Sequence, residues 1–495
     1  MADEVFLIVD CGASNGRILS ANFNGRTFTI CETHRFDNRP VFARGTLYWD
    51  VLHLFSEIKI GLQKAVRENK RNIGSIGIDT WGVDFGFIDR QGRLLANPVH
   101  YRDARRHEVR DEFFKLISEQ ELFQASGIFQ LTIMSAYLLF AMKLDNTTEY
   151  ENAHRLLFMP DLFNYLLTGE TYNEASVADT SMLYNVFSKS WDRTLIDKLG
   201  LNPSIFGDIV MPGTPVGKLA EEVCREIEVP PIPVIAPAGH DTASAVIGIP
   251  VTPTKKPWAF ISLGTWAVLG METPRPVIDL RLLKKGYGNE VYARGDTFLA
   301  RNITGLWIIQ QCRERWMCQQ GREIAWQEIV DAAASSETHK AFIDVDDPLF
   351  AQVQTDMPGV IQKACTTRSQ PAIEGIGPIS RCVFESLTLK FRACTEQLKE
   401  YSGFTIEGLH IVGGGTKNRL LCQWTSDALG LPVTAGPTET TAIGNLLMQL
   451  QGTGKISSLS EGRGIVLQSA PCQQYEPSGK DRWDEAYARF LKIIG

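Results

Sequence analysis

The chain has 495 residues, of which 44% are hydrophobic and 22% are charged. This length exceeds what one hydrophobic core usually holds, so we expect two large globular domains. The formal charge of −7 argues against nucleic acid as a partner, because binding a phosphate backbone needs a basic surface. The acidic N-terminus lacks the basic region of a secretory signal, and no apolar run approaches the ~20 residues of a membrane span.

The ten cysteines are scattered and form neither a CxxC pair nor the Cys/His spacing of a zinc site. We interpret them as buried thiols in a reducing compartment, which predicts a cytoplasmic protein without a membrane partner. Cys365 and Cys382 flank a predicted loop, and a disulfide between them is an alternative. The sequence leaves the oligomeric state open between a monomer and a small homo-oligomer.

The first third of the chain predicts strands separated by turns, followed by a helix. A β-rich run at 5–9 ends at Asp10, and strands at 17–23 and 27–33 flank the hairpin signal Asn24-Gly25. Asp50 is a predicted N-cap for a helix whose apolar residues recur at helical spacing. A further strand at 73–78 ends at an aspartate, and the region 107–230 is mostly helical in pattern.

The segment 249–257 is the predicted linker, because its three prolines fit neither a helix nor a central strand. It separates a first domain, 1–248, from a second, 258–452, and we expect the tail, 453–495, to be rich in loops and to end in a short helix at 483–493. A strand at 258–263, the turn Gly264-Thr265 and a strand at 266–271 repeat the opening plan of the first domain. We interpret this repetition as a diverged internal duplication.

The turn Asp10-Cys11-Gly12-Ala13-Ser14-Asn15-Gly16-Arg17 is the first candidate site. Its glycines and small residues let consecutive backbone N–H groups face a phosphate, and Arg17 adds a bidentate cation. Asp10, at the end of a strand, is a candidate Mg²⁺ ligand. An ordinary hairpin with a polar turn explains the same residues, so this segment alone does not decide between the two interpretations.

Two further glycine turns change that balance. The first turn matches neither the GxxxxGK[ST] of a P-loop nor the GxGxxG of a dinucleotide fold. However, Gly264-Thr265 adds a hydroxyl, and three glycines at 413–415 allow a flat purine or ribose to lie against the backbone. The three turns together favour a nucleotide site over three unrelated hairpins.

The chain resembles the FGGY carbohydrate kinases over about residues 5–450. The stretches that carry the resemblance are DCGASNGR at 10–17, ETHRF at 32–36, LYWDV at 47–51, GIDTWGVDF at 77–85, YRDAR at 101–105, GHDTASAV at 239–246, SLGTWAVLG at 262–270, NITGLWIIQ at 302–310 and HIVGGGTKN at 410–418. The resemblance implies an α/β, two-domain, actin-like (ribonuclease-H-like) ATPase fold with an active-site cleft between the domains. It also implies ATP as phosphoryl donor, Mg²⁺, and a small sugar as acceptor.

Asp241 is, by this resemblance, the catalytic base that accepts the proton of the attacking hydroxyl. Its position at the start of a predicted helix is compatible with that role, because a helix N-terminus favours an ionised carboxylate. A plain N-cap is the alternative, since aspartate often fills that position.

The resemblance assigns the other site residues by motif. Sugar contacts are expected from Gly82, His240, Asp241, Thr242 and Asn302, and nucleotide contacts from Ala13, Ser14, Asn15, Gly16, Arg17, Thr265, Gln310 and Gly415. The alternatives are a packed histidine at 240, an N-cap at Asn302 before a helix at 303–312, and a solvated side chain at Gln310. Asp79 and Asp84 are expected either to support Mg²⁺ or to stabilise the fold, and Trp49, Trp81 and Trp266 either to stack on a ligand or to fill the core.

The His240-Asp241 pair is what we expect of a deoxyketose kinase. The resemblance makes transfer to O1 of L-rhamnulose the leading hypothesis, with L-fuculose as the alternative acceptor. A different class of function is an ATP-driven binding module or a sugar sensor on the same fold. The former needs a large peptide-binding domain, for which the tail is too short, and a sensor would have lost the carboxylate at 241.

Overall fold

The computed structural model of the chain describes residues 3–69, 72–251 and 257–495, so most of the predicted linker lies outside the described residues. The strands are, in chain order, β1 (Glu4–Cys11), β2 (Asn15–Phe23), β3 (Phe28–Asp37), β4 (Val41–Ala43), β5 (Thr46–Tyr48), β6 (Ile73–Thr80), β7 (Phe85–Ile88), β8 (Arg155–Phe158), β9 (Asn173–Glu174), β10 (Tyr184–Asn185), β11 (Ser190–Trp191), β12 (Ile209–Val210), β13 (Thr214–Lys218), β14 (Pro233–Ala236), β15 (Trp258–Leu263), β16 (Trp266–Thr273), β17 (Tyr287–Val291), β18 (Thr297–Thr304), β19 (Gly408–Val412), β20 (Val433–Ala435) and β21 (Gln473–Tyr475).

The α-helices are α1 (Val51–Glu68), α2 (Arg105–Glu108), α3 (Arg110–Leu116), α4 (Glu119–Ser126), α5 (Ser135–Leu144), α6 (Thr148–Glu151), α7 (Met159–Thr168), α8 (Ala175–Asp179), α9 (Arg193–Lys198), α10 (Glu221–Ile227), α11 (Asp241–Ile247), α12 (Leu280–Lys284), α13 (Trp307–Gln320), α14 (Trp326–Ala334), α15 (Pro348–Ala351), α16 (Met357–Thr367), α17 (Ile376–Ser402), α18 (Arg419–Leu429), α19 (Thr440–Gly452), α20 (Leu459–Ser469) and α21 (Lys480–Ile494). No helix within the described ranges is long and apolar enough to cross a membrane.

Internal contacts divide the chain into two compact units. The first contains Met1–Pro253, Thr273–Leu299 and Thr440–Ala470, and the second contains Thr254–Glu272, Ala300–Glu439 and Pro471–Gly495. Two segments that follow the predicted linker therefore pack within the first unit. One contact holds the segment Thr273–Leu299 in this unit. The Val291 amide donates a hydrogen bond to the buried Asp179 carboxylate at 3.0 Å.

The first unit is built on a sheet of order β13-β14-β6-β1-β2-β3. β1 pairs antiparallel with β2 and parallel with β6, so that Asp10 lies opposite Asp79 in the register. The predicted strands and the hairpin at Asn24-Gly25 are confirmed, as is the cap of α1, where the Asp50 side chain accepts a hydrogen bond from the His53 amide. β1 is buried along nearly its whole length, as expected for a central strand between packed layers.

The second unit repeats this plan. Its strands β16, β15, β19, β20 and β21 lie side by side in that order. β15 pairs antiparallel with β16 and parallel with β19, as β1 does with β2 and β6. The recurrence that the sequence predicted is therefore present in the strand pairing.

The predicted helix at the end of the tail is confirmed, whereas the prediction that the rest of the tail is rich in loops is wrong. Residues after 453 form α20, β21 and α21. α21 buries Trp483, Tyr487 and Phe490 in a cluster with Phe342 and Leu389. Tertiary packing of this apolar face outweighs the weak local signal, which is the usual source of helix stability in proteins.

The predicted disulfide alternative is not realised. Cys365 lies on α16 and Cys382 on α17, and both carry free, buried thiols. The two side chains are within hydrogen-bonding reach of each other.

Helices α11 and α19 cross in direct backbone contact in the first unit. A β-carbon added to Gly444 would lie 1.8 Å from the Ser244 carbonyl oxygen, and one added to Gly248 would lie 2.2 Å from the Thr440 carbonyl oxygen. Both positions therefore need glycine for the close approach rather than for backbone freedom. Because Asp241 begins α11, this crossing also fixes where that carboxylate lies.

We expect Gly444→Ala to lower the free energy of unfolding by about 3 kcal/mol, because the new methyl group must separate two packed backbones. Gly464→Ala is the matched control, since a β-carbon at this position of α20 meets nothing within 4 Å. The control should be neutral or stabilising by up to about 1 kcal/mol. Urea denaturation followed by circular dichroism compares the two, and equal stability of both variants would contradict the glycine crossing.

Candidate functional site

The candidate functional residues of the first unit lie at the carboxyl ends of three neighbouring parallel strands, β1, β6 and β14. Asp10 on β1 and Asp79 on β6 are register partners. The Thr80 amide donates to the Gly239 carbonyl at 2.8 Å, which places His240 and Asp241 beside the end of β6. The carboxyl edge of parallel strands is the usual position for ligands in α/β sheets, and the predicted residues Asp10, His240 and Asp241 lie along it.

The phosphate turn is tighter than its sequence suggested. The Gly12 amide donates to the Asn15 carbonyl at 2.9 Å, which closes the turn on itself. Gly16 lies in β2, where an added β-carbon would meet the Phe36 ring at 2.2 Å. The second glycine is therefore required by packing against the Phe36 ring. Ser14 is exposed at the tip of the turn, and its two predicted neighbours Ala13 and Asn15 are partly exposed.

Asp10 and Arg17 form an ion pair in this structure. Arg17 Nη2 lies 2.5 Å from Asp10 Oδ2, across the antiparallel β1–β2 register. The predicted metal ligand and the predicted phosphate-binding cation are therefore brought together. A charge-assisted bond of this kind orders both side chains.

Asp79 is completely buried behind this pair. Its Oδ2 accepts a hydrogen bond from the Asn445 amide at 2.6 Å, whereas its Oδ1 finds no partner among the described residues. Burial raises the pKa of Asp79 well above its usual range, and the negative charge of Asp10 raises it further. Asn445 and Gln449, which bonds to Ser75 and to the Leu7 carbonyl, were missed by the sequence reasoning. Their spacing of four within the apolar middle of the helix was the available signal.

Asp241 is the first residue of α11, and the N-cap position before it is filled by His240 without a side-chain cap bond. The alternative of a plain N-cap at Asp241 is therefore wrong. Its side chain is 33% exposed, Oδ1 lies 3.2 Å from the Thr242 hydroxyl, and His240 Nε2 lies 3.6 Å from the same oxygen. These three predicted residues form one polar cluster at the start of the helix.

The Trp81-Gly82 turn faces this cluster. A β-carbon on Gly82 would lie 3.1 Å from the His240 ring and 3.0 Å from the Thr180 methyl group. Val83 has φ 68°, which is a strained conformation for a β-branched residue. It is held there by a hydrogen bond from its amide to the Thr180 hydroxyl and by one from the Ser135 hydroxyl to its carbonyl.

Asp84 and Arg106 form a fully buried ion pair beneath the turn, with a distance of 2.6 Å. Asp84 Oδ2 also accepts the indole N–H groups of Trp49 and Trp81, at 2.6 Å and 3.0 Å. Burial raises the pKa of Asp84 to about 6, although Arg106 and the two indoles act to lower it. Of the two roles expected for Asp84, the structural one is confirmed, and Trp49 and Trp81 belong to the core.

The second unit brings together its own predicted residues. The Leu306 and Trp307 amides donate to the Gly264 and Thr265 carbonyls at 3.0 Å and 3.1 Å, so the start of α13 docks on this turn. Gln310 lies on the first turns of α13 and is partly buried rather than fully solvated.

The glycine triplet packs against the strand that leads into the Gly264-Thr265 turn. Gly413 has φ 84°, which favours glycine, and Gly415 lies so close to the Leu263 side chain that an added β-carbon would approach it to 2.3 Å. Thr265 and Trp266 are exposed beside this contact. The hydroxyl and the glycine triplet thus share one face of the second unit.

Asn302 lies in β18, so the alternative of an N-cap before a helix at 303–312 is wrong. The helix begins five residues later, at Trp307. The strand is anchored by Asp346, which accepts the Thr304 amide at 3.0 Å and pairs with Arg301 at 2.7 Å. Lys390 lies 2.9 Å from the same carboxylate. The described residues contain no group of three or more His, Cys, Asp or Glu side chains that could hold a metal ion by themselves.

Two family models match the chain. Residues 5–248 match the N-terminal domain of the FGGY family of carbohydrate kinases, and residues 259–452 match its C-terminal domain. A rhamnulokinase of Bacteroides thetaiotaomicron is 38% identical over 489 residues, which cover 99% of both proteins. A rhamnulokinase of Enterococcus faecalis is 35% identical over 99% of this chain and 98% of its own length.

Solved structures share the fold. A gluconate kinase from Lactobacillus acidophilus superposes with a TM-score of 0.82 at 14% identity, covering 99% of this chain and 98% of its own. Glycerol kinase from Plasmodium falciparum with ADP gives a TM-score of 0.79 at 15% identity, with the same coverage. This likeness confirms the two-domain α/β architecture that the sequence predicted.

We expect Asp84→Asn to lower the free energy of unfolding by about 3–5 kcal/mol, because it leaves the buried Arg106 cation without a counter-charge. The double variant Asp84→Asn/Arg106→Met should lose much less than the sum of the two single variants. Urea denaturation followed by tryptophan fluorescence measures this coupling. Losses that simply add would show that the pair does not act as a unit.

Proposed function

Because the chain belongs to the FGGY family of carbohydrate kinases, we propose that it transfers the γ-phosphoryl group of ATP to O1 of L-rhamnulose. The single observation that carries the assignment of the base is the partly exposed Asp241 carboxylate at the start of α11, beside His240 and the Trp81-Gly82 turn. The sugar is supported by full-length similarity to proteins named rhamnulokinase, at 34–38% identity.

The chemistry assigned to Asp241 is proton transfer. The O1 oxygen attacks the γ-phosphorus, its proton passes to an Asp241 oxygen, and the bond between the γ-phosphorus and the β–γ bridging oxygen breaks to release ADP. Phosphoryl transfer of this kind has a loose transition state, so orientation of the hydroxyl matters more than the strength of the base. A carboxylate fixed by a helix start and by backbone contact with α19 suits that requirement.

The first unit would bind the phosphates through the backbone of Ala13, Ser14, Asn15 and Gly16 and through the Arg17 guanidinium. Asp10 would hold Mg²⁺, because carboxylate oxygens are among the ligands that this ion prefers in proteins. When bound, Mg²⁺ supplies charge neutralisation at the phosphate oxygens. With Asp10 engaged in this way, the Arg17 guanidinium would be able to bond to the phosphates.

The second unit would contribute Thr265, Gln310 and Gly415 to nucleotide binding and Asn302 to sugar binding. The docking of α13 on the Gly264-Thr265 turn supports a common role for Thr265 and Gln310. The anchoring of β18 by Asp346 supports a fixed position for Asn302. Each assignment follows the motif that the residue occupies.

We also infer that the protein acts in the cytosol. The ten cysteines are free and six of them are buried, and buried free thiols are typical of proteins in a reducing compartment.

An ADP-release assay over a panel of ketoses tests the reaction and its acceptor. We expect turnover with L-rhamnulose at a kcat/KM at least tenfold above that with L-fuculose, because a site built to bind hydroxyl groups rejects the wrong stereochemistry. Preference for L-fuculose would move the assignment to that sugar. Absence of sugar-stimulated turnover with any ketose would overturn the proposal.

Asp241→Asn should lower kcat by a factor of about 10²–10⁴, which is the usual contribution of a general base. The affinity for ATP, measured by isothermal titration calorimetry, should be nearly unchanged. Asp192→Asn is the matched control, because Asp192 caps α9 through the Leu195 amide and asparagine caps equally well. Near-normal turnover of Asp241→Asn would show that another group is the base.

A further inference from the structure

His240 lies between two carboxylates that come from distant parts of the chain. Its Nε2 atom is 3.6 Å from Asp241 Oδ1, and its Nδ1 atom is 3.4 Å from Glu290 Oε2. Glu290 belongs to β17, one of the segments that follow the predicted linker but pack within the first unit. Nothing in the sequence pattern singled it out.

Glu290 is buried, and its Oε2 atom has no satisfied hydrogen bond among the described residues. The imidazole is therefore the polar group that this oxygen can engage by a small shift. The backbone that carries Glu290 is fixed on both sides: the Val291 amide bonds to Asp179, and the Asn289 side chain bonds to the Gly127 carbonyl. A buried carboxylate on a fixed strand can therefore set the orientation of the His240 ring.

We propose that Glu290 is a positioning residue that holds His240 as a two-donor imidazolium, with Nδ1–H directed at Glu290 and Nε2–H directed into the sugar site beside Asp241. The role in sugar binding rests on the proposed function, whereas the charge state of the ring does not. The ligand that the ring recognises is a hydroxyl oxygen of the acceptor.

The separation of 3.6 Å between Nε2 and Asp241 Oδ1 lets one hydroxyl oxygen lie about 2.8 Å from both atoms. Such a hydroxyl donates its proton to Asp241 and accepts one hydrogen bond from Nε2–H. One lone pair of the oxygen is then used for orientation, and the other stays available for attack on phosphorus. This bridging geometry fixes the direction of attack, which is where most of the rate advantage in such reactions arises.

The charges around the ring support the protonated form. Burial by itself would lower the pKa of His240. The negative charges of Glu290 and Asp241 on the two sides of the ring, and of Asp179 in α8, outweigh this effect. The pKa of His240 is therefore raised. Asp179 is itself next to Glu174, and burial raises the pKa of both acids. Because this pKa is raised, the Nε2–H donor is present at low and neutral pH. It is lost when the pH rises through the pKa of His240.

Imidazole NMR of protein labelled with ¹⁵N-histidine tests the charge state without any turnover. In the natural protein we expect both His240 nitrogens to be protonated at pH 7, with His240→Asn identifying the signal. Glu290→Gln keeps the shape of the side chain and removes its charge, so the titration midpoint of His240 should fall by at least one pH unit. An unchanged midpoint, or a neutral ring at pH 7 in the natural protein, would overturn the proposal.

Sugar kinetics test the role of the ring in binding. Glu290→Gln should raise KM for the sugar about tenfold or more at pH 7.5, the usual effect of losing a hydrogen bond from a charged group. KM for ATP should not change. The rise of sugar KM with pH should also begin at a lower pH than in the natural protein.

His240→Asn removes the group through which Glu290 acts. In that background Glu290→Gln should have no further effect on sugar KM, whereas a merely structural role of Glu290 would make the two losses add. If no sugar is phosphorylated at all, the proposed function fails while the NMR titration still decides the charge state of the ring.

Discussion

The backbone contact between α11 and α19 is the constraint on which the first unit depends. Gly444 and Gly248 let the two helices approach until carbonyl oxygens replace side chains at the crossing. From that position α19 reaches back to the sheet, where Gln449 bonds to the Leu7 carbonyl and Asn445 bonds to Asp79. One helix from the last part of the chain therefore holds the middle of β1, the end of β6 and the C-terminal half of α11 in fixed relation. Displacing it by the width of a methyl group would move both Asp79 and Asp241.

Four aspartates lie near these strand ends, and their different surroundings suit them to different roles. They are Asp10, Asp79, Asp84 and Asp241. Asp84 is surrounded by donors and pairs with Arg106, so its charge is used to hold the Trp81-Gly82 turn. Asp79 is buried with one oxygen unpartnered, and burial together with the charge of Asp10 favours its neutral form. Asp10 is paired with Arg17, and Asp241 is partly open to solvent. A reactive carboxylate must be reachable and oriented at the same time, and among these four Asp241 meets both conditions best.

Much of the fold could be predicted because its signals are local. The hairpin at Asn24-Gly25, the cap at Asp50 and the repeated strand plan depend on turn chemistry and on periodicity, and the structure bears them out. The errors lie where packing overrides local preference. Asn302 precedes helix-like residues but belongs to β18, and the glycine-containing α20 is helical because it packs. Glu290 and Asn445 could not be assigned from sequence, because their partners lie far away in the chain and the positions themselves carry no motif.

The distance in sequence between Glu290 and His240 has a consequence for specificity. The proposed phosphate turn is one short, contiguous segment, which suits the binding of phosphates that are common to every nucleotide. Sugar selection instead depends on a few hydrogen bonds whose donors must be directed within narrow limits. The strained Val83 turn, the ring of His240 and the carboxylate of Glu290 come from three separate segments, and each is held by partners outside its own segment. Under the proposed assignment, a change in any one segment would alter the sugar contacts without disturbing the proposed base or phosphate turn, so that acceptor preference could vary on a constant phosphoryl-transfer site.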